Sequence, residues 1–426
     1  MDRKKMTRRN FIGITAAAAA GSVTVPAFMG CGPVETGPAT LAQSGIEKSP
    51  TSKKAFEASM IGPVRLKNRI IRSAVSMNGI DDAGRPTEAL LGHYADVARG
   101  GAGAIITGML DTGMMIDDYR YKDEYFSSYK KVPDVIHSHN VPAIQQISHR
   151  GRQKNLDESG DFFVNKVNER SIEEMIDLFV RAIVISKRLG FDAVQLHGAH
   201  GYVLSDFLSP ARNGRDDRWG GSTDNRFRVI AEIFRRARKK AGNYPILIKI
   251  NAYDNRRNGM RVEEAVRIAR LLESAGCAAI EVSCGVMDDG FSTVRVTEVP
   301  VDALVEFSKY RRLPSPVKAV MPAIVPLIAR RFEPLENYNV AAAREIAGAV
   351  SIPVIVVGGI RNRGDINAIL ESGAADFVSM GRPFIIEPDI VNRLRKGPGA
   401  KSACINCGYC IMAANSTEVR CFYGTL

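Results

Sequence analysis

A (β/α)8 barrel of the TIM type, which is an α/β fold, is the architecture that the sequence predicts, with a short Cys-rich extension at its C-terminus. Two observations lead to this prediction. Eight short runs of β-branched and other apolar residues alternate with segments that have the periodicity of an amphipathic helix. The runs are apolar on both faces, as in a parallel sheet covered by helices, and eight such strands close a barrel.

The predicted elements follow one another regularly along residues 59–400. Amphipathic helices are clearest at Ser171–Leu189 and Val262–Ala275, where apolar residues recur every three or four positions. In barrels of this type the functional groups lie at the carboxyl ends of the strands, so the residues after each run are the candidates for a site. The eight predicted strands are Asn68–Val75, Gly103–Thr107, Val141–Ile147, Ala193–His197, Ile246–Asn251, Ala278–Ser283, Pro353–Val357 and Asp376–Met380.

Residues 1–31 have the architecture of an export signal. A basic head is followed by Arg8-Arg9, an Ala-rich stretch and small residues, and this pattern resembles a twin-arginine signal peptide, which exports folded proteins. We therefore expect a periplasmic or other extracytoplasmic location. Cys31 ends a Phe-Met-Gly-Cys sequence that loosely matches a lipoprotein box, which leaves lipid anchoring open. Residues 32–58 are rich in Gly, Pro, Ser, Thr and Lys and are predicted to be a linker.

The formal net charge is +12. A basic surface favours anionic substrates or a membrane surface. Nucleic acid is not an expected partner, because no basic run is interleaved with aromatic residues. The long segment 285–334, which contains Arg311 and Arg312, is interpreted either as a cover of the pocket or as a solvated surface. The sequence leaves the oligomeric state open.

Two imidazoles and a phenol follow the fourth predicted strand, as His197, His200 and Tyr202. Imidazole N–H and phenol O–H groups donate hydrogen bonds to an oxygen that gains negative charge. Tyrosine also transfers a proton when that charge is relieved. The three residues are therefore predicted to be catalytic, whereas a single histidine at this place would more simply be structural.

Glycines follow the seventh and eighth predicted strands, as Gly358-Gly359 and Gly381, and Arg382 comes next. Glycine lets backbone N–H groups approach a phosphate closely, and the guanidinium of an arginine adds charged hydrogen bonds. Ordinary turns would explain one Gly-Gly pair. Two neighbouring strand ends together with an arginine indicate a phosphate site.

Several long motifs occur in one order, and together they resemble the Old Yellow Enzyme family of FMN-dependent ene-reductases. The most specific run from His197 to Tyr202, from Phe207 to Pro210 and from Asn213 to Arg226. A further motif, Gln146–Arg152, resembles the end of the family's third strand. The resemblance covers residues from about 60 to 400. It implies a TIM barrel with FMN as the cofactor.

The resemblance also implies which residues contact FMN. Gln146 would bond the flavin pyrimidine, and Lys249 lies where many relatives carry an arginine close to N1 and C2=O, a charge that stabilises reduced flavin. Ser76 keeps a hydroxyl where the family has Thr or Cys. The complete set of expected cofactor-binding residues is Ala74, Ser76, Met109, Gln146, Lys249, Gly358, Gly359, Gly381 and Arg382.

The reaction that the resemblance implies is hydride transfer from reduced FMN to the activated C=C of a small α,β-unsaturated carbonyl or carboxylate. His197 and His200 would hold the substrate oxygen, and Tyr202 would protonate the α-carbon. Two alternatives stay open. One is an FMN-dependent amine dehydrogenase or demethylase, and the other is a non-catalytic barrel lipoprotein that binds a ligand.

Residues 401–426 form a Cys-rich tail with Cys404, Cys407, Cys410 and Cys421. This spacing is typical of metal ligands, and in one branch of the family a similar set binds a [4Fe–4S] cluster. Zinc and disulfides are the other interpretations. Because NAD(P)H is scarce outside the cytoplasm, we expect a membrane-linked electron donor, either quinol-linked or a cytochrome.

Overall fold

The computed structural model describes residues 54–81, 85–112, 123–151, 162–329, 332–414, 417, 418 and 420–425. The predicted export signal and most of the predicted linker lie outside these residues. The strands are β1 (Ser59–Ile61), β2 (Val64–Leu66), β3 (Ile70–Arg72), β4 (Ala104–Ile106), β5 (Leu110–Asp111), β6 (Ala143–Ser148), β7 (Ala193–Gly198), β8 (Ile246–Asn251), β9 (Ile280–Ser283), β10 (Val354–Val357) and β11 (Phe377–Met380).

Eight parallel strands close into a barrel, which confirms the predicted fold class. Going round the ring, β3 pairs with β4, β4 with β6, and then each strand pairs with the next until β11 returns to β3. The eight barrel strands fall within or across the eight apolar runs of the sequence. Their residues are almost all buried, because the inner face fills the barrel and the outer face lies under the helices.

The amino end of the barrel is closed by the antiparallel hairpin of β1 and β2. Ile61 and Leu66 of this hairpin are fully buried against Ile71, Ile355 and Phe377, which point into the barrel from its strands. The hairpin therefore seals one end with apolar side chains and leaves the carboxyl end of the strands as the accessible face.

The helices cover the outside of the barrel, and several begin at a residue whose side chain caps the first turn. Asn168, Ser222 and Asn362 each accept a hydrogen bond from a backbone N–H three residues later, as N-cap residues do. The helices are Glu88–Arg99, Asp123–His137, Glu169–Arg188, Val203–Leu208, Thr223–Ala241, Val262–Ser274, Val301–Phe307, Ser315–Ile328, Val340–Ala349, Arg363–Glu371, Arg382–Ile386, Ile390–Lys396 and Tyr409–Ala413. In the described part of the chain, no helix has the length and apolar character needed to cross a membrane.

The connection between β9 and β10 is long and forms a separate layer of helices. Helices Val301–Phe307 and Ser315–Ile328 share a small apolar cluster around Val301, Leu304 and Met321, and Met412 of the Cys-rich tail packs against it. The phenol of Tyr409 donates a 2.6 Å hydrogen bond to Asp302 Oδ2. The tail is thus fixed to this layer beside the carboxyl end of the barrel.

Candidate active site

The two histidines and the tyrosine come together at the carboxyl end of β7. The ring centroids of His197 and Tyr202 are 4.4 Å apart, and those of His197 and His200 are 5.0 Å apart. His200 has a φ of 65°, in the left-handed region, so the chain turns sharply after the strand and the second imidazole stays beside the first. The three predicted donors therefore form one cluster, while their catalytic role stays a prediction.

Both imidazoles are held by specific hydrogen bonds. His200 Nε2 lies 2.7 Å from Ser283 Oγ at the end of β9, and its backbone N–H donates to Asn251 Oδ1 at the end of β8. The backbone N–H of Ala199 donates to His197 Nδ1 at 3.4 Å, which places the ring proton of a neutral imidazole on Nε2. His197 Nε2–H is thus left to donate to a ligand.

The electrostatic environment keeps all three side chains uncharged at neutral pH. Burial lowers the pKa of His200 to about 3, with a smaller contribution from the Lys249 ammonium. Burial also holds the pKa of His197 well below its ordinary value, and His200 and Lys249 add to this effect. Burial raises the pKa of Tyr202, although the guanidinium of Arg150 opposes it. The cluster therefore presents neutral N–H and O–H donors.

A chain of buried polar side chains runs beneath this cluster. Gln146 Nε2 donates to Gln195 Oε1 at 2.8 Å, and Gln195 Nε2 donates to Glu281 Oε2 at 2.6 Å. The hydroxyls of Ser73 and Ser379 donate to Glu281 Oε1 at 2.7 and 2.6 Å. These donors fill the acceptor positions of a carboxylate that has no exposure to solvent.

Lys249 supplies the positive charge of this network. Its Nζ lies 3.3 Å from Glu281 Oε2 and donates to Ser73 Oγ at 3.0 Å. Burial alone would raise the pKa of Glu281, but the Lys249 ammonium and the side-chain donors outweigh it and lower the pKa overall. Lys249 lies opposite His197 in the register of β7 and β8, and its charge contributes to lowering the pKa of both histidines.

Glu281, Ser73, Gln195 and Ser379 were not among the residues singled out from the sequence. A signal was present, because Glu281 is a charged residue within the apolar run Ala278–Ser283 and Gln195 lies within Ala193–His197. A buried charge in the middle of a parallel strand requires a partner inside the barrel. Periodicity alone does not indicate which strand supplies that partner.

The predicted phosphate end has the expected glycines and arginine at the ends of β10 and β11. Gly358 and Gly359 have φ values of 139° and 71°, and a Cβ atom on Gly358 would lie 2.6 Å from the ring of Tyr338. Side chains are excluded there on grounds of both conformation and space. Arg382 is half-buried and uses Nη1 to donate to the carbonyl of Arg295 at 2.9 Å. The other two nitrogens of its guanidinium take no part in this bond and are the donors that would bind an anion.

The other expected cofactor-binding residues border the same face of the barrel. Ala74 and Met109 are half-buried, after β3 and β4 respectively, and Ser76 is exposed. Gln146 is buried in β6. Its amide nitrogen donates one hydrogen bond to Gln195, which leaves the amide oxygen and the second N–H for a bound group.

These residues fit FMN by the chemistry of their donors. A buried ammonium and amide lie at the ends of β8 and β6, next to three neutral donors, and a guanidinium lies beside glycine-rich turns at β10 and β11. Such a face suits a planar group that becomes anionic on reduction and carries a phosphate. Lys249, Gln146 and Arg382 are the residues that would hold it.

Part of the longest sequence motif has a structural role. Trp219 is almost fully buried, and Asn213 Nδ2 donates both to the carbonyl of Phe207 and to that of Trp219. These bonds fix the loop that connects helix Val203–Leu208 to helix Thr223–Ala241. This part of the motif thus supports the segment that follows Tyr202.

The four cysteines of the tail line one pocket, together with Arg382. All four are free thiols, so none is in a disulfide. Burial raises the pKa of Cys410 to about 12 and also raises that of Cys407. Among the described residues, however, no group of three or more His, Cys, Asp or Glu side chains is arranged to hold a metal ion. The four thiols share one pocket, but no metal site is seen among the described residues, so the cluster remains a prediction.

Comparison with known proteins identifies the group to which the chain is related. It is 30% identical over 379 residues to the NADH oxidase of Thermoanaerobacter brockii, an alignment that covers 83% of this chain and 52% of that protein. It thus spans about half the length of that relative. It is 28% identical to the 4,4'-dithiodibutanoate disulfide reductase of Rhodococcus erythropolis, which covers 86% of this chain and 94% of the relative.

Solved structures share the fold at low sequence identity. A 2-naphthoyl-CoA reductase complex matches 87% of this chain and 56% of its own, with a TM-score of 0.70 and 19% identity. The old yellow enzyme homologue of Zymomonas mobilis matches 82% and 94%, with a TM-score of 0.60 and 20% identity. The histamine dehydrogenase of Rhizobium sp. 4-9 matches 86% and 51%, with a TM-score of 0.68 and 20% identity.

The family model of the NADH:flavin oxidoreductases and NADH oxidases matches residues 54–288 and 309–400. These two ranges include every strand of the barrel, the His-His-Tyr cluster and the glycine-rich phosphate end. The chain is an oxidoreductase that belongs to the NADH:flavin oxidoreductase / NADH oxidase family, whose cofactor is FMN.

Proposed function

We propose that the protein is an ene-reductase, which reduces the activated C=C of a small α,β-unsaturated carbonyl or carboxylate compound. The observation that carries the proposal is the neutral His197–His200–Tyr202 cluster next to the buried Lys249. Neutral N–H donors bind a carbonyl oxygen and stabilise the negative charge that develops on it. Because a neutral imidazole is a weak acid, it does not transfer its proton to that oxygen.

FMN, when bound, supplies the hydride. His197 Nε2–H binds the carbonyl oxygen of the substrate, and the Ser283 contact fixes the ring of His200 beside it. Tyr202 keeps its proton at neutral pH because burial raises its pKa, so it is a suitable donor to the α-carbon. Lys249 adds a positive charge to the same face of the barrel, where it favours negative charge on bound groups.

The proposal predicts rapid turnover with an enone. Anaerobic holoenzyme is reduced with dithionite and then mixed with 2-cyclohexenone, and flavin absorbance is followed by stopped flow. We expect prompt reoxidation and the formation of cyclohexanone. If the enone left the reduced flavin unchanged while a secondary or primary amine reduced the oxidised holoenzyme, the amine dehydrogenase alternative would replace the proposal. The absence of both reactions in an FMN-loaded sample would favour a non-catalytic barrel.

We further propose that the chain is exported in the folded state, that its four tail cysteines bind a [4Fe–4S] cluster, and that a membrane-linked donor reduces it. The twin-arginine sequence supports export, and the shared pocket of the four free thiols supports the cluster. The scarcity of NAD(P)H outside the cytoplasm supports a donor of the quinol-linked or cytochrome type.

Anaerobic purification is expected to give about four iron and four sulfide per chain if this ligation holds. Cys410→Ser should lower both the iron and the sulfide content strongly. Cys277→Ser is the control, because Cys277 is a buried thiol outside the tail, and it should leave both contents unchanged. Stoichiometric zinc without sulfide would identify the zinc alternative. Four alkylatable thiols without metal would exclude both kinds of metal site.

A further inference from the structure

One helix of the β9–β10 connection exposes an unusual amount of apolar surface. Only Ser315 and Lys318 are polar in the helix Ser315–Ile328. Its apolar side chains at 317, 320, 324 and 327 are all exposed, and Leu327 is 83% exposed. The spacing of three, four and three residues places them on one face. A helix so apolar is ordinarily buried, and an exposed apolar face of this kind marks an interaction surface.

The opposite face of the helix explains how it is held. Met321 is buried in the small cluster with Val301 and Leu304, and Val325 packs against the same group. The helix is therefore attached to the protein by one narrow stripe. The four exposed side chains take no part in this attachment and are available to another surface.

Within the segment that contains this helix the charged residues are all of one sign, whereas Asp302 and Glu306 lie in the neighbouring helix Val301–Phe307. The sequence from Ser308 to Phe332 contains six Lys and Arg residues and no Asp or Glu. Arg311 and Arg312 are exposed and Lys318 is half-buried, and none of the three forms an ion pair with a residue that the structure describes. By contrast, arginines on the barrel helices, such as Arg218 and Arg236, are paired with carboxylates.

We propose that the helix Ser315–Ile328 is a docking surface for an anionic lipid bilayer, with its apolar face at the acyl boundary and Arg311, Arg312 and Lys318 at the headgroups. Apolar side chains on one face of a helix, bordered by basic residues, are the pattern of helices that lie in the plane of a membrane interface. Each basic residue close to an anionic leaflet contributes to the attraction. Fourteen residues of helix are about 21 Å long, which is too short to span a bilayer.

A second copy of the chain is a poorer occupant of this face. In a two-fold interface the same patch meets itself, so the unpaired basic residues of the two copies would approach one another. An anionic surface supplies the missing negative charge, and a bilayer also accepts the apolar side chains.

Docking through this helix would place the Cys-rich tail close to the membrane. Met412 of the tail packs in the same small apolar cluster, and Tyr409 is bonded to Asp302 of the helix beneath. The exposed helix and the cysteine pocket are therefore two faces of one layer. A bilayer-bound electron donor would meet this layer before it met the barrel.

The test is cosedimentation of the full chain with vesicles, with Cys31→Ser in every sample so that acylation does not contribute. We expect binding to phosphatidylcholine vesicles that contain about 30% phosphatidylglycerol, and much weaker binding to pure phosphatidylcholine. About 0.5 M NaCl should weaken binding to the anionic vesicles, because it screens exposed charges. The leader is common to all samples, so differences between variants report on the helix.

Leu327→Glu should lower the vesicle partition coefficient about tenfold. It removes an apolar side chain whose burial in the bilayer raises that coefficient about tenfold or more. Lys318→Gln should lower it about fivefold. Met60→Glu is the matched control, because Met60 is an exposed apolar residue at the amino end of the barrel, and it should leave binding unchanged. FMN content and circular dichroism verify that each variant is folded.

Wild-type-like binding by both helix variants, or no preference of the wild type for anionic vesicles, would overturn the proposal. Two other outcomes would also overturn it and name the true occupant. A dimer that Leu327→Glu converts to monomer, without a change in vesicle binding, would indicate a second copy. Leu327-dependent association with a solubilised membrane protein, without binding to vesicles, would indicate a protein partner.

Discussion

Replacing His197 and His200 together by alanine is expected to slow the reoxidation of reduced flavin by an enone about 10³-fold or more. Removing a single donor to a developing oxyanion costs about 10²–10³ in rate, and the two imidazoles lie 5.0 Å apart in one cluster. The two losses are not expected to multiply fully, because each ring helps to hold the other. FMN content should stay at the wild-type level, since the cofactor is expected to be held by Gln146, Lys249 and the phosphate end.

The measurement is stopped flow with saturating 2-cyclohexenone under anaerobic conditions, so that substrate affinity and the rate of the step are separated. His139→Ala is the control, because His139 lies in the loop before β6 at the other end of the barrel. The pH dependence gives a second readout. Since the pKa of His200 is about 3, the wild-type rate should show no step near pH 6.5, where an exposed histidine would titrate. Loss of FMN from the double variant, or an unchanged rate, would contradict the assignment.

The second large effect concerns stability. Lys249→Met should lower the free energy of unfolding by about 3–5 kcal/mol, because it leaves the buried Glu281 carboxylate without its counter-charge. The double variant Lys249→Met/Glu281→Met should be closer to the wild type than the sum of the single variants. Urea denaturation of the four proteins, at matched FMN content, gives the double-mutant cycle. Strict additivity of the two single effects would show that the pair is not coupled.

The effect of pH on this variant has a definite sign. In the wild type the pKa of Glu281 is lowered, so its contribution to stability is present above the pKa of the unfolded state and is lost as the pH falls. Without Lys249 the folded-state pKa rises, the native carboxyl holds its proton, and stability is lost as the pH rises instead. The variant should therefore be closer to the wild type at about pH 5 than at about pH 8. Lys130→Met, which breaks an exposed ion pair with Asp134, should change stability by at most about 1 kcal/mol.

The barrel was predictable from the sequence because its strands are apolar on both faces. Runs such as Ile246–Asn251 and Pro353–Val357 read as buried strands without any knowledge of their partners. The His197–Tyr202 cluster was predictable because its members are close in sequence and follow one strand. The interior network was not, because Gln195, Glu281 and Ser379 come from three different strands and Ser73 follows a fourth, so they meet only when the barrel closes.

The helix Ser315–Ile328 was hidden for a different reason. Pro322 and Pro326 lie inside it, and proline in a helix interior argues against a helix, so the sequence did not predict a helix here. Its arginines suggested a solvated surface, whereas the apolar face between them is exposed as well. Sequence pattern gives the composition of such a segment, but only the placement of Met321 and Val325 against the neighbouring helix shows which side is free.

The β9–β10 connection has an evolutionary consequence. Because β9 and β10 are parallel neighbours, the connection leaves the carboxyl end of β9 and crosses the outside of the barrel to the amino end of β10, so it can carry extra helices on its way. Doubling the length of such a loop costs only about 0.6 kcal/mol in closure entropy, and the register of the barrel is unaffected. The helical layer is thus a cassette that a lineage can acquire, exchange or discard independently of the chemistry beneath it. Relatives that share the barrel but differ in this layer would then differ in their location in the cell.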